Sequence, residues 1–379
     1  MKKKTIAIIG AGPAGLAGAY LLVKAGHEVV IFEKDENYVG GISRTESYKG
    51  YKFDIGGHRF FSKSKEIEDL WTEILGDDFL ECPRNSSIYY KRKFYSYPLV
   101  AFEALIKLGL FESIKCLISY LKIKIFPIKN PLSFEEWVIN QFGKRLYNIF
   151  FKTYTEKVWG ISCDKISADW AIQRIKGLSL SIAIKNALKA NKQEQETASS
   201  VKTLINSFRY PKFGPGMMWE TCAKKITSMG GKILLGHSVS EISQSDKGSW
   251  IITTNNKENY SEFDFVLSSA PIKELIPSLK PALPESVIKA SQNLFYRDFL
   301  IVVLILKDEN KFTDNWIYIH DNEVKVARIQ NFKAWSKYMV PDENMTCYGL
   351  EYFCFEGDGL WKSDNSELIQ LGKSEAEKI

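Results

Sequence analysis

Thr5-Ile-Ala-Ile-Ile9 leads directly into Gly10-Ala-Gly12-Pro-Ala-Gly15, and this stretch decides the fold. The apolar run predicts a buried strand, and the three glycines fit the turn from a parallel strand into a helix. Gly10 permits the tight turn, Gly12 lets the backbone approach a pyrophosphate, and Gly15 lets the helix pack closely on the strand. The N–H groups at the start of that helix are then available to phosphates.

A second strand and an acidic residue complete this pattern. The small-residue run from Leu16 to Ala25 predicts the helix, and Glu28-Val-Val-Ile-Phe32 predicts the second strand. Glu33 follows at the end of that strand, where a carboxylate accepts hydrogen bonds from a ribose. Because strand, glycines, helix, strand and acid occur together, we predict a Rossmann-type domain that binds a dinucleotide.

The composition excludes several classes of protein. A chain of 379 residues with 25% charged and 45% hydrophobic residues is long enough for two or three ordinary globular domains. The net charge of +6 is too diffuse to indicate a nucleic-acid-binding protein. Six cysteines without CxxC spacing and four histidines indicate neither a disulfide framework nor a metal site. We therefore expect buried thiols and no metal.

The N-terminus imitates a secretory signal, since Lys2 to Lys4 precede an apolar run. Three glycines and Pro13 break that run at fingerprint positions, however. We therefore expect a cytoplasmic protein.

Periodicity and turn signals divide the chain into parts. The predicted organisation is a discontinuous Rossmann-type domain (1–80 and 212–280), a mostly helical substrate domain (81–200), an antiparallel sheet platform (201–211 and 281–360) and a tail (361–379). Ser133 and Glu136 have the spacing of a capping box at a helix start. Residues 190–200 are polar and indicate a linker.

The segment 99–128 is helical in pattern and very apolar, but four lysines interrupt it. No uncharged span reaches the length that a transmembrane helix requires. A buried helical pair is the interpretation we favour. An amphipathic patch on a membrane surface is the alternative.

Two further motifs identify the cofactor by resemblance. Gly40-Gly41-Ile-Ser-Arg44-Thr45 and Phe53-Asp-Ile-Gly56-Gly57-His58 resemble the flavin-binding extension of the superfamily of amine oxidases, protoporphyrinogen oxidases and UDP-galactopyranose mutases. The resemblance implies FAD rather than NAD, with the double glycine near the cofactor, Arg44 near its phosphates, and the turn at His58 against the flavin ring. We also place Val239, at the start of a predicted strand, among the cofactor-binding residues.

Several blocks are similar to UDP-galactopyranose mutases in particular. They include Phe150-Phe-Lys-Thr-Tyr154-Thr-Glu-Lys-Val-Trp159-Gly160, Tyr97-Pro98 and the segment from Phe208 to Gly216. In that family reduced FAD acts as a covalent catalyst on a UDP-sugar, without net redox change, so an external reductant is implied.

The same resemblance assigns roles to individual residues of the substrate domain. Arg174 and Arg328 match the two arginines that bind the substrate diphosphate, and Tyr154 or Tyr97 match positions that stack on uracil. A guanidinium suits this task because it binds phosphate oxygens in a planar, bidentate way. The expected lining of the cleft is Trp159, Trp316 and Tyr318, and the residues expected to take part in catalysis are His58, Arg174 and Arg328.

Two alternatives remain open. A true FAD-dependent oxidoreductase shares the N-terminal fingerprint, and fold does not determine chemistry. A degenerate fragment without catalysis is the other. Members of the mutase family usually continue past residue 379 with a segment that closes over the flavin, so we expect the present chain to bind FAD weakly or not at all. A homo-oligomer is compatible with the sequence.

Overall fold

The computed structural model of the chain describes residues 2–175, 206–309 and 312–379. The predicted linker 190–200 lies outside the described residues. The pattern of Asp169 to Leu188 also predicts a helix, and its part beyond residue 175 lies outside them too.

The strands of the described residues are β1 (Thr5–Ile9), β2 (Glu28–Phe32), β3 (Thr45–Tyr48), β4 (Tyr51–Asp54), β5 (Phe79–Pro83), β6 (Ser86–Tyr90), β7 (Lys93–Ser96), β8 (Ser207–Pro211), β9 (Lys232–Leu234), β10 (Val239–Gln244), β11 (Trp250–Thr254), β12 (Asn259–Phe263), β13 (Phe265–Ser268), β14 (Asp298–Lys307), β15 (Trp316–Ile319), β16 (Arg328–Asn331) and β17 (Met345–Cys354). The helices are α1 (Pro13–Lys24), α2 (Lys65–Leu75), α3 (Ala101–Leu108), α4 (Leu110–Ile125), α5 (Phe134–Tyr147), α6 (Thr153–Trp159), α7 (Ala168–Ile175), α8 (Pro215–Ser228), α9 (Ile272–Ser278), α10 (Glu285–Gln292), α11 (Phe332–Trp335), α12 (Gly359–Lys362) and α13 (Asn365–Ala376).

The chain forms two compact units. The first comprises Met1–Cys82, Arg209–Tyr296 and Ser336–Pro341, and the second comprises Pro83–Phe208, Arg297–Trp335 and Asp342–Ile379. The predicted helical domain and the predicted sheet platform both fall largely within the second unit, and their division remains a prediction.

The first unit is built on a parallel sheet with strand order β13-β1-β2-β9. Alternate residues of β1 point to opposite faces of the sheet. Ile6 and Ile8 pack with apolar residues of α1 and α8, whereas Ala7 and Ile9 pack with the antiparallel sheet β10-β11-β12. The sheet is therefore covered on both faces, as parallel sheets require, and the predicted Rossmann-type arrangement is confirmed.

The second unit contains a six-stranded sheet with strand order β14-β17-β16-β15-β6-β7. Its first four strands are antiparallel as predicted, whereas β6 joins β15 in parallel. The hairpin β6-β7 turns at Lys91 and Arg92, which both have positive φ angles of 48° and 58°. The helices α3, α4 and α5 pack on this end of the sheet through a core that includes Ile88, Tyr95 and Phe150.

The segment 99–128 differs from the interpretation we favoured. It forms α3 and α4, but of α4 only one side is buried, through Cys116 and Tyr120. The buried helical pair is therefore wrong for the outer face of α4, whose apolar side chains are exposed.

The stretch 361–379, predicted as a tail, instead contains a packed helix. Asp364 caps α13 by accepting a hydrogen bond from the N–H of Glu367. The buried carboxylate of Glu375 accepts hydrogen bonds from the N–H groups of Lys325 and Val326, at 2.7 and 2.8 Å. These contacts hold the helix in place. The sequence did not indicate them, because the other face of the helix is polar.

The capping box is confirmed. The Ser133 side chain accepts from the N–H of Glu136, and the Glu136 carboxylate accepts in return from the N–H of Ser133. No helix of the described residues is long and apolar enough to cross a membrane.

Candidate functional site

The glycine-rich turn after β1 has the conformation that the fingerprint requires. Gly10 has φ +94°, and its N–H donates to the carbonyl oxygen of Phe32 at 2.8 Å. A Cβ added to Gly15 would lie 1.9 Å from the carbonyl oxygen of Gly10, so a larger residue cannot pack there. A Cβ added to Gly12 would meet nothing within 4 Å. The backbone at Gly12 is thus the place where a ligand can approach the turn.

The start of α1 is suited to bind a phosphate. Gly12 is the N-cap and contributes no side-chain cap, and Pro13 occupies the first turn. Proline has no N–H, so it fits this position at no cost. The remaining N–H groups of the first turn and the helix dipole favour an anion here.

Glu33 is held beside the turn by two backbone hydrogen bonds. Its Oε2 accepts from the N–H of Ala11 at 2.6 Å, and its Oε1 accepts from the N–H of Asp35 at 3.0 Å. The residue is 9% exposed. Each carboxylate oxygen has further lone pairs, so the group retains the capacity to accept from ribose hydroxyls.

The double glycine lies against the same turn, and its approach to the cofactor stays a prediction. The N–H of Gly40 donates to the carbonyl oxygen of Ala11 at 2.8 Å. A Cβ added to Gly41 would lie 3.5 Å from Cα of Gly12. The indole N–H of Trp219, on α8, donates to Ser43 at 3.0 Å and fixes the loop that follows.

Arg44 is engaged by acidic side chains. Its guanidinium lies 3.0 Å from Asp35 and 3.0 Å from Glu46, and it stacks over the ring of Tyr38 at 4.8 Å. The pKa of Asp35 is lowered by the N–H group of Asn37, and also by that of Tyr38 and by the charge of Arg44. A phosphate contact by Arg44 therefore stays a prediction, and it would have to compete with these carboxylates.

The turn before His58 is anchored by a buried acid. Gly56 has φ +84°, and His58 Nδ1 lies 3.0 Å from the carbonyl oxygen of Gly56. Since a carbonyl oxygen only accepts, Nδ1 carries the proton. Asp54, fully buried at the end of β4, accepts hydrogen bonds from Tyr210 and from Thr45. The Gly57 peptide completes this turn, and its contact with a flavin ring stays a prediction.

Val239 begins β10 and pairs with Thr254. Two residues earlier, the N–H of His237 donates to the carbonyl oxygen of Glu33 at 2.8 Å. This hydrogen bond brings the chain just before Val239 to the end of β2 at Glu33, and a cofactor contact by Val239 stays a prediction.

Five of the predicted substrate residues converge in the second unit. The ring centroid of Tyr318 lies 4.7 Å from that of Tyr97, 5.2 Å from that of Tyr154 and 6.2 Å from that of Trp316. Tyr318 is also the register partner of Arg328 across β15 and β16. We call these five residues the Tyr318 cluster. Burial raises the pKa of Tyr154, so its hydroxyl stays protonated and can donate.

Arg328 is oriented by a buried carboxylate that the sequence did not point out. Glu351, 0% exposed, accepts from Arg328 Nε at 2.6 Å and contacts Nη2 at 2.5 Å. It also accepts from the Gln330 amide at 2.9 Å. Burial disfavours the charge on Arg328, but Glu351 raises its pKa above the usual range. A fixed, permanently charged guanidinium results.

Two further features of the cluster were not predicted. Arg84 lies over the rings of Tyr97 and Trp316, at 5.3 and 5.8 Å from their centroids. Arg84 lies two residues before β6, and this position is its main signal in the sequence. Within the described residues the buried Nε1 of Trp316 has no hydrogen-bond partner. Buried donors are almost always paired, so a ligand acceptor would fit here.

His320 supports the cluster from behind. Its ring stacks on Tyr154 at 5.1 Å, with an interplanar angle of 5°. Burial lowers the pKa of His320 to about 3, and the charge of Lys157 adds to this. Lys157 in turn donates to the carbonyl oxygens of Asp321 and Val326. His320 is therefore a neutral packing group at neutral pH.

Two predicted substrate residues lie outside these contacts. Trp159 packs edge to face on Trp170 of α7, with ring centroids 5.2 Å apart. Arg174 belongs to the same helix, but its side chain lies outside the described residues, so its role stays a prediction. A groove of about 860 Å³ runs along α4 and α5, and none of the predicted substrate residues lines it.

The described residues contain no cluster of side chains that could hold a metal ion. The residues of the first unit do fit a flavin dinucleotide. An open approach at Gly12, an uncapped helix start, and a carboxylate at the end of β2 are the features that a pyrophosphate and a ribose require.

Comparison with known proteins agrees with this arrangement. The model of the family described as flavin containing amine oxidoreductase matches residues 13–371. The structure is similar to a crystal structure of reduced UDP-galactopyranose mutase, with a TM-score of 0.80 and 23% identity over 97% of this chain and 77% of that chain. It is also similar to wild-type putrescine oxidase bound to putrescine, with a TM-score of 0.60 and 16% identity over 97% of this chain and 79% of that chain.

Curated relatives match shorter stretches. A 4,4'-diapophytoene desaturase (4,4'-diaponeurosporene-forming) of Staphylococcus aureus (strain COL) is 51% identical over 92 residues, which is 24% of this chain and 16% of that protein. An uncharacterized protein in the nifH2 3'region of Methanothermococcus thermolithotrophicus is 47% identical over 53 residues. The match covers half of that protein and 14% of this chain.

Proposed function

The chain belongs to the flavin-containing amine oxidoreductase family, its cofactor is FAD, and from this premise we propose that it is a mutase of the UDP-galactopyranose mutase type. It would interconvert the pyranose and furanose forms of a UDP-sugar. The observation that carries the proposal is the Tyr318 cluster, in which a fixed guanidinium, three tyrosines and an unpaired indole N–H converge.

Each group in the cluster suits one part of a nucleotide sugar. Arg328, held by Glu351, would bind the diphosphate, and the flat surfaces of Tyr97 or Tyr154 would stack on uracil. Trp316 Nε1 would donate to a ligand oxygen, and Arg174 would supply the second guanidinium.

The first unit would hold the cofactor. The turn at Gly12 and the start of α1 would bind the pyrophosphate, Glu33 and Val239 the adenosine end, and the turn at His58 the flavin ring. Bound in its reduced form, FAD supplies a nucleophilic nitrogen for the anomeric carbon. Because Nδ1 of His58 donates to the carbonyl oxygen of Gly56, this histidine would orient the turn.

The proposal includes a cellular setting. Since the reaction has no net redox change, a separate reductant must reduce the cofactor once. The furanose product would serve the synthesis of cell-surface polysaccharides, and six free, buried cysteines support a cytoplasmic location.

A FAD-dependent oxidoreductase is the second candidate, because the family is described as oxidoreductases and the stretch shared with the desaturase is 51% identical. A true oxidase would bind a substrate without a diphosphate, and the half-buried guanidinium of Arg328, held by Glu351, would then have no anion to bind in the ligand.

The experiment that tests the proposal compares the two reactions on one preparation. Protein reconstituted with FAD is incubated anaerobically with dithionite and UDP-galactofuranose, and chromatography follows UDP-galactopyranose. A parallel aerobic sample receives putrescine and other amines, and hydrogen peroxide is measured. Formation of UDP-galactopyranose without peroxide supports the mutase. Peroxide without conversion favours the oxidoreductase.

A further inference from the structure

The outer face of α4 is apolar and exposed along its whole length. Its side chains recur at intervals of three and four residues, which places them on one face of a helix. We call this set the outer stripe, and its members with their exposed fractions are Leu110 (74%), Ile114 (46%), Leu117 (45%), Ile118 (61%), Leu121 (51%) and Ile125 (69%). Phe111 and Phe126, 81% and 72% exposed, extend the stripe at either end.

The outer stripe is not needed for the core of the second unit. The opposite face of α4 supplies Cys116 and Tyr120 to that core. A surface helix normally places polar residues on the side away from the core, whereas α4 is apolar on both sides. Single exposed apolar residues are common, but a continuous exposed patch marks an interaction site.

Lysines border the outer stripe on both sides. At about 100° per residue, Lys115 and Lys122 lie along one edge of the stripe and Lys124 along the other. All three are exposed. Lysine stems can cover apolar surface while the ammonium groups extend to a polar layer. The acid of this helix, Glu112, is already paired with Lys115 and Arg145 at 3.0 and 2.6 Å.

The positive charge of the chain is concentrated around this helix. Residues 91–129 contain eight basic and two acidic side chains, a net charge of +6, which equals the net charge of the entire chain. The basic turn of the hairpin lies next to the end of α3, since Lys93 Nζ donates to the carbonyl oxygen of Lys107 at 2.6 Å. The segment that carries the apolar stripe therefore also carries the net positive charge of the chain.

We propose that this surface binds the face of a membrane that contains anionic lipids. In this arrangement α4 lies parallel to the bilayer plane, the outer stripe enters the boundary between headgroups and acyl chains, and the flanking lysines contact lipid phosphates. The charge argues against a second copy as the occupant. A two-fold contact through this face would bring two surfaces of net positive charge together.

Vesicle flotation with the full chain tests the proposal. One set of vesicles is phosphatidylcholine alone, and the other contains phosphatidylglycerol as well. The apolar variant is Phe111→Ser with Ile118→Ser, and its matched control is Phe295→Ser, which changes an equally exposed phenylalanine of the first unit (81%). The charge variant is Lys115→Gln with Lys122→Gln, and its control is Lys65→Gln with Lys289→Gln.

We expect the unchanged protein to float with anionic vesicles, to bind neutral vesicles more weakly, and to dissociate as salt is raised. The charge variant should bind about 25-fold more weakly, since each lysine contributes roughly fivefold. The apolar variant should not float, and both controls should bind like the unchanged protein. Thermal unfolding of every variant is measured, and exposed positions should leave it unchanged.

Two results would overturn the proposal. The first is that the unchanged protein does not bind anionic vesicles, or that the apolar variant binds them as well as the unchanged protein does. The second is a dimer of the unchanged protein in analytical ultracentrifugation that the apolar variant lacks, since a second copy would then cover the stripe.

Discussion

Replacing Arg328 by methionine should harm both stability and ligand binding, and the two effects can be separated. The single variant leaves the fully buried carboxylate of Glu351 without its cationic partner. Breaking a buried ion pair in this way costs about 3–5 kcal/mol. Because the Arg328 side chain is only 24% exposed, solvent replaces little of this. For a unit of this size the midpoint of thermal unfolding should fall by roughly 6–12 °C.

The double variant Arg328→Met with Glu351→Met removes both charges. Replacing a buried pair by apolar residues of similar volume is often neutral for stability. The midpoint of thermal unfolding of the double variant should therefore lie close to that of the unchanged protein. The affinity for UDP should not return, because charge-assisted hydrogen bonds contribute about 1.5–3 kcal/mol, or roughly 10- to 150-fold. Thermal unfolding and calorimetric titration with UDP measure the two quantities.

Lys333→Met provides the control. Lys333 pairs with Asp308 at 2.6 Å in the same unit, with side chains 26% and 17% exposed, and neither residue belongs to the Tyr318 cluster. This variant should lower stability less and leave UDP affinity unchanged. Recovery of UDP binding in the double variant would refute the assignment of Arg328 to the ligand. An unchanged midpoint in Arg328→Met would refute the buried pair.

Three further predictions concern the cofactor site and the packing behind the cluster. Gly12→Ala should fold normally, because its Cβ enters open space, but its FAD affinity should fall at least about tenfold in absorbance titrations. Gly15→Ala should lose stability as well as FAD affinity, because its Cβ would lie 1.9 Å from the carbonyl oxygen of Gly10. Normal FAD binding by both variants would contradict the fingerprint. Glu33→Gln keeps an acceptor for the N–H of Ala11 but loses the charge, and FAD affinity should fall about tenfold, with Glu36→Gln as the control. Burial lowers the pKa of His320 in the folded protein to about 3, from an ordinary value of 6.5. Between these pH values the unfolded chain binds more protons, so stability is lost as the pH falls, by at most about 1.4 kcal/mol per pH unit. Urea unfolding from pH 7 to pH 4 should show a shallower loss of stability in His320→Gln, and an identical loss would contradict the buried neutral imidazole.

The sequence predicted the first unit in detail because its decisive contacts are local. The glycines at 10, 12 and 15 and the acid at 33 occupy one continuous βαβ segment, and the fingerprint specifies its geometry. Helix α1 begins at Pro13, three residues before the predicted start, because proline is favoured in the first turn of a helix.

The second unit was less accessible from sequence because its contacts join distant segments. Glu351 meets Arg328 only through the pairing of β16 with β17, and Arg84 meets Trp316 only because β6 joins β15 in parallel. The outer face of α4 illustrates another reason. An apolar stripe has the same periodicity whether it faces a core or an external partner, so periodicity alone favoured the wrong interpretation.

The measurement that tests the central claim most directly is the redox balance of turnover. Protein with FAD, reduced once under anaerobic conditions, is mixed with a large excess of UDP-galactofuranose, while the visible absorbance of the flavin and the amount of UDP-galactopyranose are followed together. We predict many equivalents of product for each flavin, with the flavin still reduced at the end, and no product from the oxidised protein. One equivalent or less of altered substrate, accompanied by a stoichiometric change in the flavin, would contradict the mutase and identify an oxidoreductase.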